Sequence, residues 1–295
     1  MSIAALPRLA NAAPRWPRAA MIAAVDQSPA CVLAQDKAGW LALFADGGVT
    51  EDPVGTAPNR KGAHLARGGE DDLGRFYDTF IAGNEIRFSV LEDLVAGDEV
   101  VRDVVIHTRL STGLSVDVPA HLIYRLVEER GALKLLLLRA IWDLRQRSAS
   151  AIGAGWKGLV SLTAVSGRMF AVQGIRGLVG YSRGLVSGIF GRGPAAVSRF
   201  AEALNRRDAA DLEALCADGA AIELPAGRPV TPRALCEELG LGVRLTTSAA
   251  TPAGFLTSVR FALTDGGANP VAGIALFEFD PASKTIRSAR FYVAG

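Results

Sequence analysis

The chain has 295 residues, 49% hydrophobic and 21% charged, with 32 Lys and Arg against 30 Asp and Glu. That length suits two domains, each able to bury its own core, and so apolar a composition excludes global disorder. Three scattered cysteines (Cys31, Cys216, Cys236) exclude a disulfide scaffold and a C-x2-C metal site, and three histidines (His64, His107, His121) leave few ligand sets for zinc or iron.

Residues 1–18 mix Arg and Pro with apolar residues where a secretory signal would separate them, and they read as a loosely ordered leader. No run of 18 apolar residues occurs, which argues against an ordinary transmembrane helix and makes a cytoplasmic location the expectation. Ser28–Pro29 reads as a helix start, and Asp36 as the cap of a second helix whose Trp40, Leu43 and Phe44 share a face. GVTEDPVG is a short extended piece closed by a turn at Pro53 and Gly55. DDLGRFYDTFIAG predicts a third helix with Leu73, Phe76, Tyr77 and Phe80 inward. From Ile86 onward, alternation predicts about four antiparallel strands.

Charge is sharply partitioned. Residues 1–143 carry a net −4, residues 144–201 a net +8 with no acid at all, and residues 202–295 a net −2. The basic stretch is also apolar and rich in glycine. Lys157, Arg168, Arg176 and Arg183 fall on one helical arc, while glycines such as Gly158, Gly174 and Gly180 predict two or three short helices rather than one. Such a segment can cover the domains with its Arg stripe in water. It also suits an anionic membrane surface, making the protein peripheral to a membrane, or a protein partner, through residues 156–190. Its aromatic residues are too sparse to make a nucleic-acid platform.

The order of elements then repeats. Residues 194–218 read as two helices with a bend at Asn205–Asp208, Ala220–Pro225 as a short extended run, Pro232–Leu239 as a third helix, and the remainder as strands. The expectation is an α+β protein of two cone-shaped domains, each a curved antiparallel sheet packed against about three helices, joined by a helical, Gly-rich basic connector. The boundaries expected are a leader at 1–18, a first domain at 19–145, the connector at 146–194 and a second domain at 195–295.

ALFADGGVTEDPVG resembles the hallmark of the isomerase branch of the ketosteroid isomerase and nuclear transport factor 2-like superfamily. FYDTFIA, VDVPAHLIYRL, LLLLRAIWDL and the helix pair that opens the second copy extend the resemblance. It implies a pocket between the concave sheet and the helices, and it gives Asp52, the Asp of DPVG, the role of a base that moves a proton alpha to a carbonyl. Hydrogen-bond donors must then face the developing oxyanion. The family's donor positions fall on His121, two residues after Pro119, and on Ser28; anchoring on Tyr124–Arg125 instead selects Leu122. Asp117 shares a strand face with His121 and is a third polar candidate. His107, Asp143, Tyr77 and Tyr124 are weaker ones. In the second copy Leu224 replaces the Asp, and Pro270 aligned with Pro119 puts Ala272 at the donor position, which makes this copy chemically silent.

The function this implies is an isomerase or lyase using carboxylate acid/base chemistry on an apolar carbonyl compound, steroid-like or polyketide-like. A non-enzymatic small-molecule-binding or scaffold protein is the alternative, and an epoxide hydrolase or cyclase a third. No P-loop segment is present, and no nucleotide, metal or other cofactor is expected. The partners expected are an apolar small molecule and either a homodimer or an internal pseudo-dimer.

Overall fold

In a computed structural model, the described residues are 9–65, 69–153, 155–239, 242–248, 250–266 and 270–294. They form two compact units. The first comprises Trp16–Asp93 and Asp98–Ser187; the second comprises 188–294 with Leu94–Gly97 and residues 9–15. Each is a curved, mainly antiparallel sheet packed against helices, and a helical connector leads from one to the other.

The first domain opens with helix α1 (Arg18–Leu33), which buries Met21, Ala24, Val25, Ser28 and Val32 at helical spacing. The helix continues past Pro29, so Ser28 lies inside it and does not cap it, contrary to the sequence expectation. A proline in a helix interior costs about 3 kcal/mol. Burial of Met21, Val25 and Val32, at roughly 1.5–3 kcal/mol each, outweighs that cost. Helix α2 (Lys37–Ala42) is capped as expected, Asp36 accepting from Gly39 N at 2.8 Å. Strand β1 (Phe44–Glu51), the two-residue β2 (Asn59–Arg60), helix α3 (Asp72–Phe76) and a π-helical turn (Tyr77–Ile81) follow. Long strands β3 (Glu85–Ala96), β4 (Glu99–Arg109), β5 (Ser115–Glu129) and β6 (Ala132–Ile141) complete the sheet, in the order β2-β1-β6-β5-β4-β3. Strand β1 runs parallel to β6, so the sheet is not wholly antiparallel.

Helices α4 (Leu144–Gly153) and α5 (Trp156–Val186) form the basic segment. Helical geometry is interrupted at Gly155 (φ 68°) and within α5 at Gly174 (φ 68°), both conformations that favour glycine. The glycine-broken helices expected there are present, and they pack with residues 16–93 as part of the first unit. Gly180 and Gly184 let α5 approach the turn after DPVG. Ala57 N donates to Gly180 O at 3.0 Å, and a Cβ on Gly180 would lie 2.6 Å from that of Ala57. The Lys157 side chain, part of the expected Arg/Lys stripe, lies outside the described residues.

The second domain repeats the plan: α6 (Arg192–Arg206), α7 (Ala209–Leu215), β7 (Cys216–Glu223), β8 (Pro229–Val230), α8 (Pro232–Glu238) and strands β9 (Arg244–Thr247), β10 (Thr251–Ala253), β11 (Leu256–Thr264), β12 (Val271–Phe279) and β13 (Ile286–Val293). Strand β7 is parallel to β13, and Glu223 pairs with Arg290 as Glu51 pairs with Arg139. The expected leader falls partly on residues 1–8, outside the described residues. Residues 9–15 are held within the second unit, where Ala12 N donates to Ala226 O at 2.7 Å and Asn11 bonds both backbone groups of Val293.

The two cores differ at matched positions. A constant offset relates ADG at 45–47 to ADG at 217–219 and Pro53 to Pro225, and it sets Ser28 against Phe200. The Glu–Arg register sets Ala140 against Phe291. Phe200, Phe261, Phe277 and Phe291 interlock edge to face, with centroids 5.1 to 5.7 Å apart in the closest pairs, and fill the second core. Serine and alanine at the matching places leave space in the first.

Candidate active site

A cavity of about 370 Å³ lies within the first domain, between the concave face of the sheet and the helices. Strand β5 presents Val116, Val118, Leu122 and Tyr124 to it, β6 presents Leu138 and Ala140, and α1 contributes Ser28 and Val32. Helix α5 closes it with Val165, Met169, Leu178, Tyr181 and Leu185. The wall is mainly apolar, with polar members that include the cation Arg147 and Ser148, Ser166 and Ser182.

Asp52 is another polar member of the wall. Strand β1 delivers it to the wall: Glu51 pairs with Arg139 across the parallel β1–β6 ladder, Arg139 Nε donates to Glu51 Oε2 at 2.9 Å, and Val54 N donates to Ala140 O at 2.9 Å. Trp142, just past β6, donates its Nε1 hydrogen to Asp52 Oδ1 at 2.7 Å. Burial raises the Asp52 pKa above the ordinary carboxylate range, because the charged form loses water; the Trp142 hydrogen bond pulls in the opposite direction. Among the described residues no Lys, Arg or His forms an ion pair with it.

Two phenols share this space. Tyr124 on β5 is buried, and burial raises its pKa. Tyr181 on α5 stacks on Phe80 at 5.5 Å, and its pKa is raised by burial and then by the Asp52 charge. Both line the cavity, and both are neutral hydroxyl donors at physiological pH.

The remaining candidates separate by strand parity. Even-numbered residues of β5 face the cavity, so His121 and Asp117 face the other way, and neither lines it. The donor position expected at His121 is therefore off the cavity wall: the anchor on Tyr124–Arg125, which selects Leu122, is the one that matches the strand. His121 is buried with Nε2 3.7 Å from Asp103 Oδ1, its cross-strand neighbour. Asp117 is exposed and accepts from His107 Nδ1 at 2.7 Å, while His107 Nε2 meets Ser89 Oγ at 2.9 Å. Ser28 does reach the cavity wall, where its Oγ accepts from Trp40 Nε1 at 3.1 Å. Asp143 caps α4 by accepting from Gln146 N, and Tyr77 is buried outside the cavity wall. The same registers correct the second copy: Leu122 corresponds to Ala275, so His121 corresponds to Ile274 rather than Ala272.

Sequence reasoning missed Tyr181 and the closure by α5. The signal was present: once the segment is split at Gly174, Leu178, Tyr181 and Leu185 recur at i, i+3 and i+7.

A second, more polar cleft of about 230 Å³ adjoins the cavity and shares Asp52, Phe80 and Tyr181 with it. Among the described residues no group of His, Cys, Asp and Glu has the arrangement of a metal site. No helix among them is long and apolar enough to cross a membrane.

The architecture defines a cone-shaped α+β domain with an acid in an apolar pocket. Residues 25–133 match the family model of the SnoaL-like domain. The first domain is thus homologous to the nuclear transport factor 2-like and ketosteroid isomerase superfamily, and the match does not single out the isomerase branch. No curated protein matches the chain. Among solved structures, the chain is similar to RV0760c from Mycobacterium tuberculosis in complex with estradiol-17beta-hemisuccinate, at 30% identity over 42% of this chain and 94% of that one, with a TM-score of 0.36. It is also similar to Delta 5-3-ketosteroid isomerase from Mycobacterium sp., at 30% identity over 42% of this chain and 93% of that one, with a TM-score of 0.34.

Proposed function

We propose that the first domain binds a planar, apolar carbonyl compound, steroid-like or polyketide-like, in the cavity and moves a proton on it through Asp52. The observation that carries this is the pairing of an apolar wall with one carboxylate whose pKa burial raises. A base works best when its pKa approaches the working pH. Asp52 takes a proton from the carbon alpha to the carbonyl. The electron pair moves onto the carbonyl oxygen, where the hydroxyl of Tyr181 or Tyr124 donates a hydrogen bond. Return of the proton to another carbon is isomerisation; departure of a beta substituent is a lyase reaction. The EDPVG motif, which resembles that of the isomerase branch, accords with this chemistry.

A non-enzymatic binding protein is the second reading, favoured by the absence of His121 from the cavity wall. One experiment separates the two. 2-Tetralone, an apolar bicyclic ketone with acidic alpha hydrogens, is followed by NMR in deuterated buffer. The enzymatic reading predicts accelerated exchange that falls by about a hundredfold or more in Asp52→Asn and persists in His121→Gln. Binding without acceleration in the wild type overturns it in favour of a carrier.

The outward face of α5 exposes Trp156 (75%), Phe170, Ile175, Val179 and Val186 (79%) in a segment without acids. For this face we infer contact with an anionic bilayer. A cytoplasmic location, where the three unpaired cysteines stay reduced, accords with both inferences.

A further inference from the structure

The polar cleft beside Asp52 carries more positive charge than its own acids balance. Its lining includes Arg60, Arg75, Arg176, His64 and Asp72. Asp72 is already engaged twice, by Arg75 at 2.6 Å and by His64 Nδ1 at 2.5 Å. Among the described residues Arg60 donates only to a neutral acceptor, Gly47 O at 3.0 Å. Arg176, on α5, makes no ion pair among the described residues. Asp52, the cleft's other acid, is engaged by Trp142 Nε1 at 2.7 Å rather than by either arginine.

Two guanidinium groups therefore face a cleft that continues, past Asp52, Phe80 and Tyr181, into the apolar cavity. A guanidinium presents a planar fork of donors that matches a carboxylate or phosphate, and such charge-assisted bonds are stronger than neutral ones. We infer that the ligand is an amphipathic anion: an apolar ring system in the cavity with a short tail ending in a carboxylate or similar acid, held by Arg60 and Arg176. This rests on the cavity being the ligand site proposed above and adds the chemical class of its far end. The tail also orients the ring: the cleft gathers Arg60 and Arg176 where the cavity wall has, among the described residues, Arg147 alone, and an acid held at the cleft end fixes which carbon lies against Asp52.

The test uses 1-pyrenebutyric acid and its methyl ester, which share a planar fluorescent ring system and differ in the charge of the tail. The acid is expected to bind the full-length protein about five- to tenfold tighter than the ester at low salt, a preference that shrinks as salt rises because both arginines are exposed. In the double variant Arg60→Gln, Arg176→Gln, the acid should bind about as weakly as the ester, with the ester's affinity unchanged. Equal affinities of acid and ester in the wild type, or a preference that survives in the double variant, overturn the anion site while the cavity stands. If neither probe binds, or if Ala140→Phe leaves ester binding intact, the cavity itself is not the site, and this proposal fails with it.

Discussion

Replacing Asp52 by Asn is expected to stabilise the first domain at neutral and alkaline pH and to change little in acid. The carboxylate accepts one hydrogen bond, from Trp142 Nε1 at 2.7 Å, and has no cationic partner among the described residues. Its folded-state pKa is raised by burial above the ordinary aspartate value of 3.8. The folded state thus holds this proton more tightly than the unfolded state does. The group's contribution to stability is therefore full below the unfolded pKa and is lost as pH rises through the folded one. Asparagine keeps an acceptor for Trp142 and carries no charge to desolvate, so the gain at pH 8 is about 1–3 kcal/mol and approaches zero at pH 4. For a domain of this size each kcal/mol moves the thermal midpoint by about 2–4 °C. All four tryptophans (Trp16, Trp40, Trp142, Trp156) lie in the first domain, so their fluorescence follows its unfolding alone. Urea titrations of both proteins at pH 4 and pH 8 measure the difference. A variant less stable than wild type at pH 8, or a difference identical at both pH values, would show that Asp52 is favourably held as an anion and refute the reasoning.

Three further outcomes are expected. Arg102, 1% exposed, bonds Asp93 at 2.7 and 2.9 Å and Asp26 at 2.6 Å; Arg102→Ala strands the largely buried Asp93, while Asp26, 55% exposed, returns to water, and the change costs about 3 kcal/mol in urea unfolding; a loss under about 1 kcal/mol would contradict this. Ala140→Phe copies the second domain's Phe291 into the cavity and should abolish 1-pyrenebutyrate methyl ester binding by fluorescence titration, with folding verified by circular dichroism. Sedimentation with phosphatidylserine vesicles should carry the protein down, and Phe170→Asp with Ile175→Asp should release it; equal sedimentation with purely zwitterionic vesicles would count against an anionic bilayer.

The fold was legible because its punctuation is local. Asp36, Asp208 and Thr231 each cap a helix from the side chain, the alternation after Ile86 gives strands, and the repeated ADG…P spacing shows the duplication. The placement of Asp52 followed from the DPVG turn. The facing of His121 did not, because a one-residue difference in strand register reverses every side chain, and Pro119 and Tyr124–Arg125 imply different parities. Pro29 misled because its local cost is overridden by tertiary burial of α1, a non-local term. Closure by α5 was hidden by composition: its inner apolar residues, its outer apolar residues and its arginines alternate within one glycine-rich segment, and only the break at Gly174 separates their faces.

The central claim is that Asp52 acts as a base toward a ligand in the apolar cavity. Hydrogen–deuterium exchange of 2-tetralone, measured by NMR for wild type and Asp52→Asn at matched ligand occupancy, tests it most directly. The account predicts exchange well above the buffer rate for the wild type and near it for the variant. Equal rates in the two proteins, with the ligand bound to both, would contradict it.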